Sequence, residues 1–165
     1  MNLITDWEKI RAHFNKSFKS NFYVSIASVD AKNNPTVTPI GTLFLNDDQT
    51  GFYFEKFPLN LPIHAKINPN ICVLGVNSNR LFWIRSLFNG NFPSSPAIKL
   101  YGVLREKRKA TSHEISRLNR RMRSTKRLKG NVYLWQNMEF IREIQFTEAE
   151  QINLGKMTRT LKYSS

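Results

Sequence analysis

The segments FYVSIASVD (22–30), TVTPIGTLFL (36–45), FYFEKF (52–57) and ICVLGV (71–76) decide the fold of this chain. In the first segment apolar side chains alternate with small or polar ones, which is the period of a half-buried strand. Turn residues at 31–35 and 46–51 separate the first three segments, so these are predicted to pair as antiparallel strands. Pro39 and Gly41 predict a bulge or a barrel corner inside the second segment.

A short helix is predicted between the third and fourth strands. Ile63 and Ile67 are one helical turn apart, and Asn68-Pro69 ends the helix because proline excludes helical backbone angles from the preceding residue. The fourth segment is continuously apolar, which predicts a strand buried on both faces. The resulting order is three strands, a helix and a strand.

Further elements flank this unit. An amphipathic helix is predicted over about 5–19, with Thr5 and Glu8 placed as a capping box and Trp7 and Phe14 as core candidates. Alternation predicts a fifth strand over 97–105, and a closing strand is expected near 139–146.

The order of these elements, with the helix closing on Asn68-Pro69 before the fourth strand, resembles the FMN-binding split-barrel family that includes pyridoxamine 5′-phosphate oxidase. Shorter stretches of the chain also resemble an uncharacterised bacterial branch of that family. These stretches are 77–87, 99–102, 110–111, 134–135, 141–146 and 154–158. The resemblance implies a mainly β chain, folded over 1–165 as one six-stranded antiparallel split β-barrel with flanking helices. It also implies a homodimer that holds FMN in a groove between subunits.

The family's phosphate-binding Thr, Ser and Lys fall on Glu55, Leu59 and Leu61 of this chain, so other side chains must hold the phosphate. A phosphate needs several converging donors or cations. The cofactor-binding candidates in the same segment are Lys56, Asn60, His64 and Lys66. Those expected from across the dimer are Arg80 and Arg85, and Trp83 is a candidate for stacking on a flat ring. Alternatively, the cations are solvated surface charge and Trp83 belongs to the core or to a dimer interface.

This resemblance predicts a flavin-dependent oxidoreductase that acts on an unidentified small molecule, with no catalytic residue assigned. Pyridoxamine phosphate oxidation itself is not expected, because the family's Arg-x-His motif is absent and Arg142 is followed by Glu143 and Ile144. A related branch of split barrels binds haem, for which His64 is a candidate axial ligand, and haem is the less favoured cofactor.

Composition excludes several other kinds of site. The chain has one cysteine, Cys72, and three widely spaced histidines, so a zinc site and an internal disulfide are not expected. It lacks a phosphate-binding glycine loop and a nucleophile elbow, so a bound cofactor must supply any redox chemistry. A cytoplasmic protein without a membrane segment is predicted.

Positive charge is concentrated in one segment. Residues 105–129 contain eleven Lys and Arg against two Glu, and the whole chain has a formal net charge of +13. A basic helix over about 112–129 is predicted, with Thr111 and Glu114 as its capping box and Gly130 as its end. The alternative to a flavoprotein is therefore a cofactor-free binding module that holds RNA or another polyanion on this helix.

Overall fold

The computed structural model describes residues 1–163, which form five α-helices and seven strands. The helices are α1 Trp7–Asn21, α2 Asn60–Ile67, α3 Arg80–Asn89, α4 Ser112–Arg121 and α5 Lys129–Trp135. The strands are β1 Val24–Val29, β2 Pro35–Ile40, β3 Leu43–Leu45, β4 Thr50–Phe54, β5 Asn70–Val76, β6 Ala97–Lys109 and β7 Phe140–Gln151. Short 3₁₀ helices cover Arg123–Thr125 and Gly155–Tyr163. In the described residues, no helix is both long and apolar enough to cross a bilayer.

All seven strands belong to one antiparallel sheet with the order β2-β1-β5-β6-β7-β4-β3. Strands β2 and β3 are at opposite edges of this order, although only Gly41 and Thr42 separate them in the chain. The sheet must therefore curl so that its edges approach, and it forms a half-barrel. Six strands were predicted. The seventh arises because the corner predicted at Pro39 and Gly41 divides the second predicted strand in two.

Strand β5 differs from the prediction of a strand buried on both faces. Its side chains alternate between buried and half-buried, and only Ile71, Val73 and Gly75 face the core. Cys72 and Leu74 lie on the outer face of the sheet, beside Ala27 and Ser25 of β1. A single chain therefore leaves the outer apolar face of β5 partly uncovered.

The main core lies between the concave sheet and α1. Trp7 and Phe14 are buried there, as the helical periodicity predicted. The Phe14 ring occupies the space that a Cβ at Gly75 would need, 2.9 Å away. The capping box predicted at Thr5 and Glu8 does not form, because the helix begins after Asp6 with no side-chain cap.

The predicted basic helix over 112–129 is wrong in its second half. Helix α4 ends at Arg121 and is followed by a 3₁₀ turn, and Gly130 lies inside α5 instead of ending a helix. The capping box at the start of α4 is confirmed. The Thr111 hydroxyl accepts a bond from the Glu114 N–H at 3.3 Å, and the Glu114 carboxylate accepts one from the Thr111 N–H at 2.7 Å.

We expect Thr111→Ala to lower the free energy of unfolding by about 1 kcal/mol, because it removes the N-cap acceptor of α4. Ser112→Ala, one residue later on the exposed surface, is the matched control and should change stability by less than about 0.5 kcal/mol. Urea denaturation of both variants makes the comparison. Equal stabilities for the two variants would show that the capping box contributes nothing.

Candidate functional site

The seven predicted cofactor-binding residues fall into two groups at opposite ends of β5. Lys56, Asn60, His64 and Lys66 follow β4 or lie on α2, which leads into the start of β5. Arg80, Trp83 and Arg85 lie on α3, which follows the end of β5. The seven-residue strand between them spans roughly 20 Å. Within one chain the structure does not bring the two groups together.

His64 is the buried member of the α2 group. Its Nδ1 lies 3.0 Å from the Ser28 hydroxyl of β1 and 3.4 Å from the Thr36 hydroxyl of β2. These contacts fix the imidazole ring against the first hairpin. Across residues 1–163, no group hydrogen-bonds to its Nε2, so that nitrogen is available as a ligand.

The four candidate cations are exposed, and none has an acidic partner in the part of the chain that the structure describes. Lys56 donates to the backbone oxygen of Gln136 at 2.6 Å, whereas Lys66, Arg80 and Arg85 make no hydrogen bond there. This lack of counter-charge is what an anionic ligand needs. It is also what solvated surface charge looks like, so the arrangement alone does not distinguish the two interpretations.

Trp83 has a structural role within the chain. Its indole N–H donates to the Asn77 oxygen at 2.7 Å, and its ring packs edge-to-face against Phe92, with the ring centroids 5.1 Å apart. The first contact ties α3 to the residue that follows β5, and the second ties it to the loop after the helix. The indole is only half-buried, so one side of the ring remains accessible.

Glu55, which falls on one of the phosphate-binding positions of the resembled family, is buried and paired with basic side chains. Arg142 of β7 donates to both of its carboxylate oxygens, and the Lys107 ammonium of β6 lies 3.4 Å away. The Tyr53 hydroxyl donates to the same carboxylate at 3.2 Å. Burial by itself would raise the pKa of Glu55, but Arg142 and Lys107 outweigh that effect and hold the pKa below its ordinary value.

Sequence reasoning missed this cluster because its members are far apart in the chain. Arg142 and Glu55 are 87 residues apart, and the pairing of β4 with β7 brings them together. The only available signal was a lone acid among aromatic residues at a strand end. Burial and the adjacent Glu55 charge also raise the pKa of Tyr53 far above its ordinary value.

Helix α4 does not present a uniformly solvated arginine face. Arg117 donates to the Asn46 side chain at 2.6 Å and to the Leu45 oxygen at 2.8 Å, and Arg121 donates to the Leu43 oxygen at 2.6 Å. Leu43 and Leu45 belong to β3, an edge strand, so arginine side chains take the place of a neighbouring strand at this edge.

Other cations of the basic segment are also engaged. Arg108 bonds the carboxylates of Glu114 and Glu143, at 2.8 and 2.7 Å, while Lys107 reaches Glu55. Together with Arg117 and Arg121, four of the eleven cations have internal partners. The structure therefore does not favour the polyanion-binding alternative.

A groove of about 580 Å³ is lined mainly by polar residues of β4, β6, β7 and the turn before β4. None of the seven predicted residues lines it. Over residues 1–163, no group of three or more His, Cys, Asp or Glu is placed to hold a metal ion.

Solved structures with the same fold include flavin- and haem-associated proteins. An FMN-binding protein from Syntrophomonas wolfei superimposes with a TM-score of 0.59 at 12% identity, over 92% of this chain and 95% of that one. A putative pyridoxamine 5′-phosphate oxidase from Listeria innocua gives 0.54 at 18% identity, over 88% and 97%. HutZ, the haem storage protein of Vibrio cholerae, gives 0.53 at 13% identity, over 92% and 95%.

These likenesses confirm the predicted resemblance at the level of the fold. The chain has the split-barrel fold of the pyridoxamine 5′-phosphate oxidase-like proteins. At the level of sequence, it matches no protein-family profile and no curated protein.

Proposed function

We propose that this chain is a homodimeric FMN-binding protein that performs or assists a redox reaction on a small molecule in the cytoplasm. FMN, when bound, supplies the electron transfer, and the protein binds and orients it and excludes water. The observation that carries the proposal is the split-barrel fold, which this chain shares with an FMN-binding protein and with a putative pyridoxamine 5′-phosphate oxidase. Four exposed cations without acidic partners flank the two ends of β5 and are the candidates for holding the phosphate.

The position of these cations supports a site shared between two subunits. A two-fold axis through the middle of β5 reverses the strand, so the α2 end of one subunit meets the α3 end of its partner. Lys56 and Lys66 of one subunit then face the same groove as the α3 arginines of the other. A phosphate and a flat ring need several converging groups, which one chain does not provide.

The exposed apolar surface supports the same assembly. Cys72 and Leu74 leave the outer face of the central sheet half-covered, and several large apolar side chains of α2 and α3 are exposed, namely Ile63, Ile67, Leu81, Ile84, Leu87 and Phe88. Phe88 is 91% exposed. Large exposed apolar side chains on two helices that flank the same strand are surface that a partner subunit would cover.

The environment of Glu55 removes an obstacle to phosphate binding. An isolated carboxylate at the usual phosphate position would repel the ligand, but this one is paired with Arg142 and Lys107. Its charge is therefore compensated before any ligand binds. The adjacent Lys56 donates one hydrogen bond to the Gln136 backbone oxygen and has two further N–H donors for an anion.

Complementation between two variants tests the shared site. Lys56→Gln/Lys66→Gln and Arg80→Gln/Arg85→Gln should each weaken FMN binding at least tenfold, because each removes charge-assisted hydrogen bonds to the phosphate. A heterodimer purified with one chain of each kind has one groove with both cation pairs intact. We expect it to bind about one FMN per dimer with native affinity, measured by flavin fluorescence quenching.

Lys126→Gln/Lys129→Gln is the matched control, since it removes the same charge from the basic segment and should bind FMN normally. A heterodimer as weak as its parents would contradict a site shared between subunits. Native affinity in both double variants would contradict the involvement of these cations altogether.

Haem is the second candidate cofactor, and the free Nε2 of His64 favours it. A histidine that is fixed through one ring nitrogen and open at the other suits an axial ligand. If haem is the cofactor, His64→Ala should abolish the Soret band of the reconstituted protein. An unchanged Soret band would exclude His64 as the ligand.

A further inference from the structure

A small cavity of about 70 Å³ lies between α1, α4 and the β3 edge. Its polar lining consists of Arg11 and Asn15, one turn apart on α1, and Arg117 and Arg121, one turn apart on α4. Three arginine side chains therefore line one small space that is large enough for a few water molecules. A space of this size suits a tetrahedral oxyanion or the phosphoryl end of a larger molecule.

Arg121 is held rigidly in this cavity. Its guanidinium lies between the rings of Phe18 and Phe44, 4.3 and 3.6 Å from their centroids, and one N–H donates to the Leu43 oxygen. A guanidinium has five N–H donors. Its remaining donors have no acceptor among residues 1–163, so they are available to a ligand.

The charge around the cavity is not balanced from within the lining. Neither Arg117 nor Arg121 has a carboxylate partner among the described residues. Arg11 pairs with Glu8 and Asp47, at 2.7 and 2.6 Å, through a single nitrogen, and both carboxylates are largely solvent-exposed. Burial and the neighbouring charge of Arg117 lower the pKa of Arg121 to about 10. A bound anion would favour the charged guanidinium and so counteract both effects.

We propose that Arg11, Asn15, Arg117 and Arg121 form a binding site for a tetrahedral oxyanion, either free phosphate or the phosphoryl end of a small molecule. Planar guanidinium groups with several free N–H donors are the side chains best suited to phosphate oxygens. The site lies on α1 and α4, neither of which carries a cation of the proposed flavin groove. Its ligand would lock α4 against the β3 edge.

Calorimetric titration of the full chain tests this proposal, with inorganic phosphate and glycerol 3-phosphate as ligands and chloride at matched ionic strength as the reference. Two or three charge-assisted hydrogen bonds predict a Kd of about 0.1–1 mM. Binding of inorganic phosphate alone indicates a free ion as the ligand. Binding of both compounds indicates a phosphoryl group.

Variants of α1 assign the binding to this cavity. Arg11→Gln should weaken phosphate binding at least fivefold, and Asn15→Asp, which places a carboxylate in the cavity, at least tenfold. Lys16→Gln removes the same charge from α1 without lining the cavity and should change the affinity less than twofold. Lys56→Gln/Lys66→Gln should also bind phosphate normally, which separates this site from the flavin groove.

Two results would overturn the proposal. One is the absence of any phosphate binding beyond the effect of chloride. The other is an equal phosphate affinity in the wild type, Arg11→Gln and Asn15→Asp proteins.

Discussion

Arg142→Leu is expected to lower the free energy of unfolding by about 3 kcal/mol, because it leaves the Glu55 carboxylate buried without its main partner. The Glu55 side chain is 5% exposed and that of Arg142 14% exposed, so solvent screens this pair weakly. Removing one member of a buried pair typically costs about 3–5 kcal/mol. The low end applies because Lys107 remains 3.4 Å from Glu55. Urea denaturation measures the loss.

The double variant Glu55→Leu/Arg142→Leu separates the ion pair from the packing around it. Replacing both partners with apolar groups is often neutral, so we expect the double variant to be more stable than Arg142→Leu alone. A loss below about 1 kcal/mol in Arg142→Leu would contradict the assignment of Glu55 as a buried charge that depends on Arg142.

The same pair predicts a loss of stability in acid. The pKa of Glu55 is lowered in the folded protein, so its contribution is complete above the pKa of an unfolded glutamate, about 4.3, and is lost as the pH falls through the lower folded value. Glu55→Gln should flatten the stability profile below about pH 4.3. An unchanged slope in that variant would mean that other carboxylates cause the acid sensitivity.

Gly102→Ala should destabilise the fold by about 3 kcal/mol or more. Gly102 lies at a register shift between β6 and β7, and a Cβ there would be 2.6 Å from the Gln145 carbonyl oxygen and 3.2 Å from the Phe146 Cα. Both are backbone atoms, so the clash can be relieved only by moving the two longest strands apart. Overpacking of a rigid site usually costs about 1–3 kcal/mol, and occasionally more.

Gly130→Ala is the matched control for this substitution. Gly130 lies in α5, and a Cβ there meets no atom within 4 Å. Alanine is favoured over glycine in a helix, so this variant should be more stable than the wild type by about 0.5–1 kcal/mol. A lower melting temperature for Gly102→Ala and a higher one for Gly130→Ala, each compared with the wild type, would support the described backbone. Equal changes would contradict the register between β6 and β7.

Local signals in the sequence predicted most of the elements. Alternation located β1, the Asn68-Pro69 pair marked the end of α2, and Thr111 with Glu114 marked the start of α4. The corner at Pro39 and Gly41 was predicted as well, but its consequence for the strand count was not. The number of strands depends on which neighbouring strands β2 and β3, the two halves of the second predicted strand, pair with in the sheet.

The errors have physical causes that lie outside any local window. The apolar run of β5 predicted burial on both faces, and one chain covers only the core side. Helix α4 ends at Arg121, where Met122 leaves the helical conformation, although the sequence continues with helix-compatible residues to Leu128. Arg117 and Arg121 pair with carbonyl oxygens more than 70 residues away, which no helical pattern indicates.

The resemblance, and not a local pattern, supplied the candidate cofactor residues, and it already implied a groove between two subunits with Arg80 and Arg85 across the dimer. The structure adds that the α2 group and the α3 group flank opposite ends of β5. How the two groups would meet depends on the packing of a second chain, which no local pattern in the sequence encodes.

The most direct measurement is the absorption spectrum of the purified protein, followed by gel filtration after FMN is added to the cofactor-free form. We expect flavin absorption that remains with a protein peak of dimer size, at about one FMN per chain. A protein that retains no flavin after saturation, or one that elutes as a monomer, would contradict the account of a cofactor groove formed between two subunits.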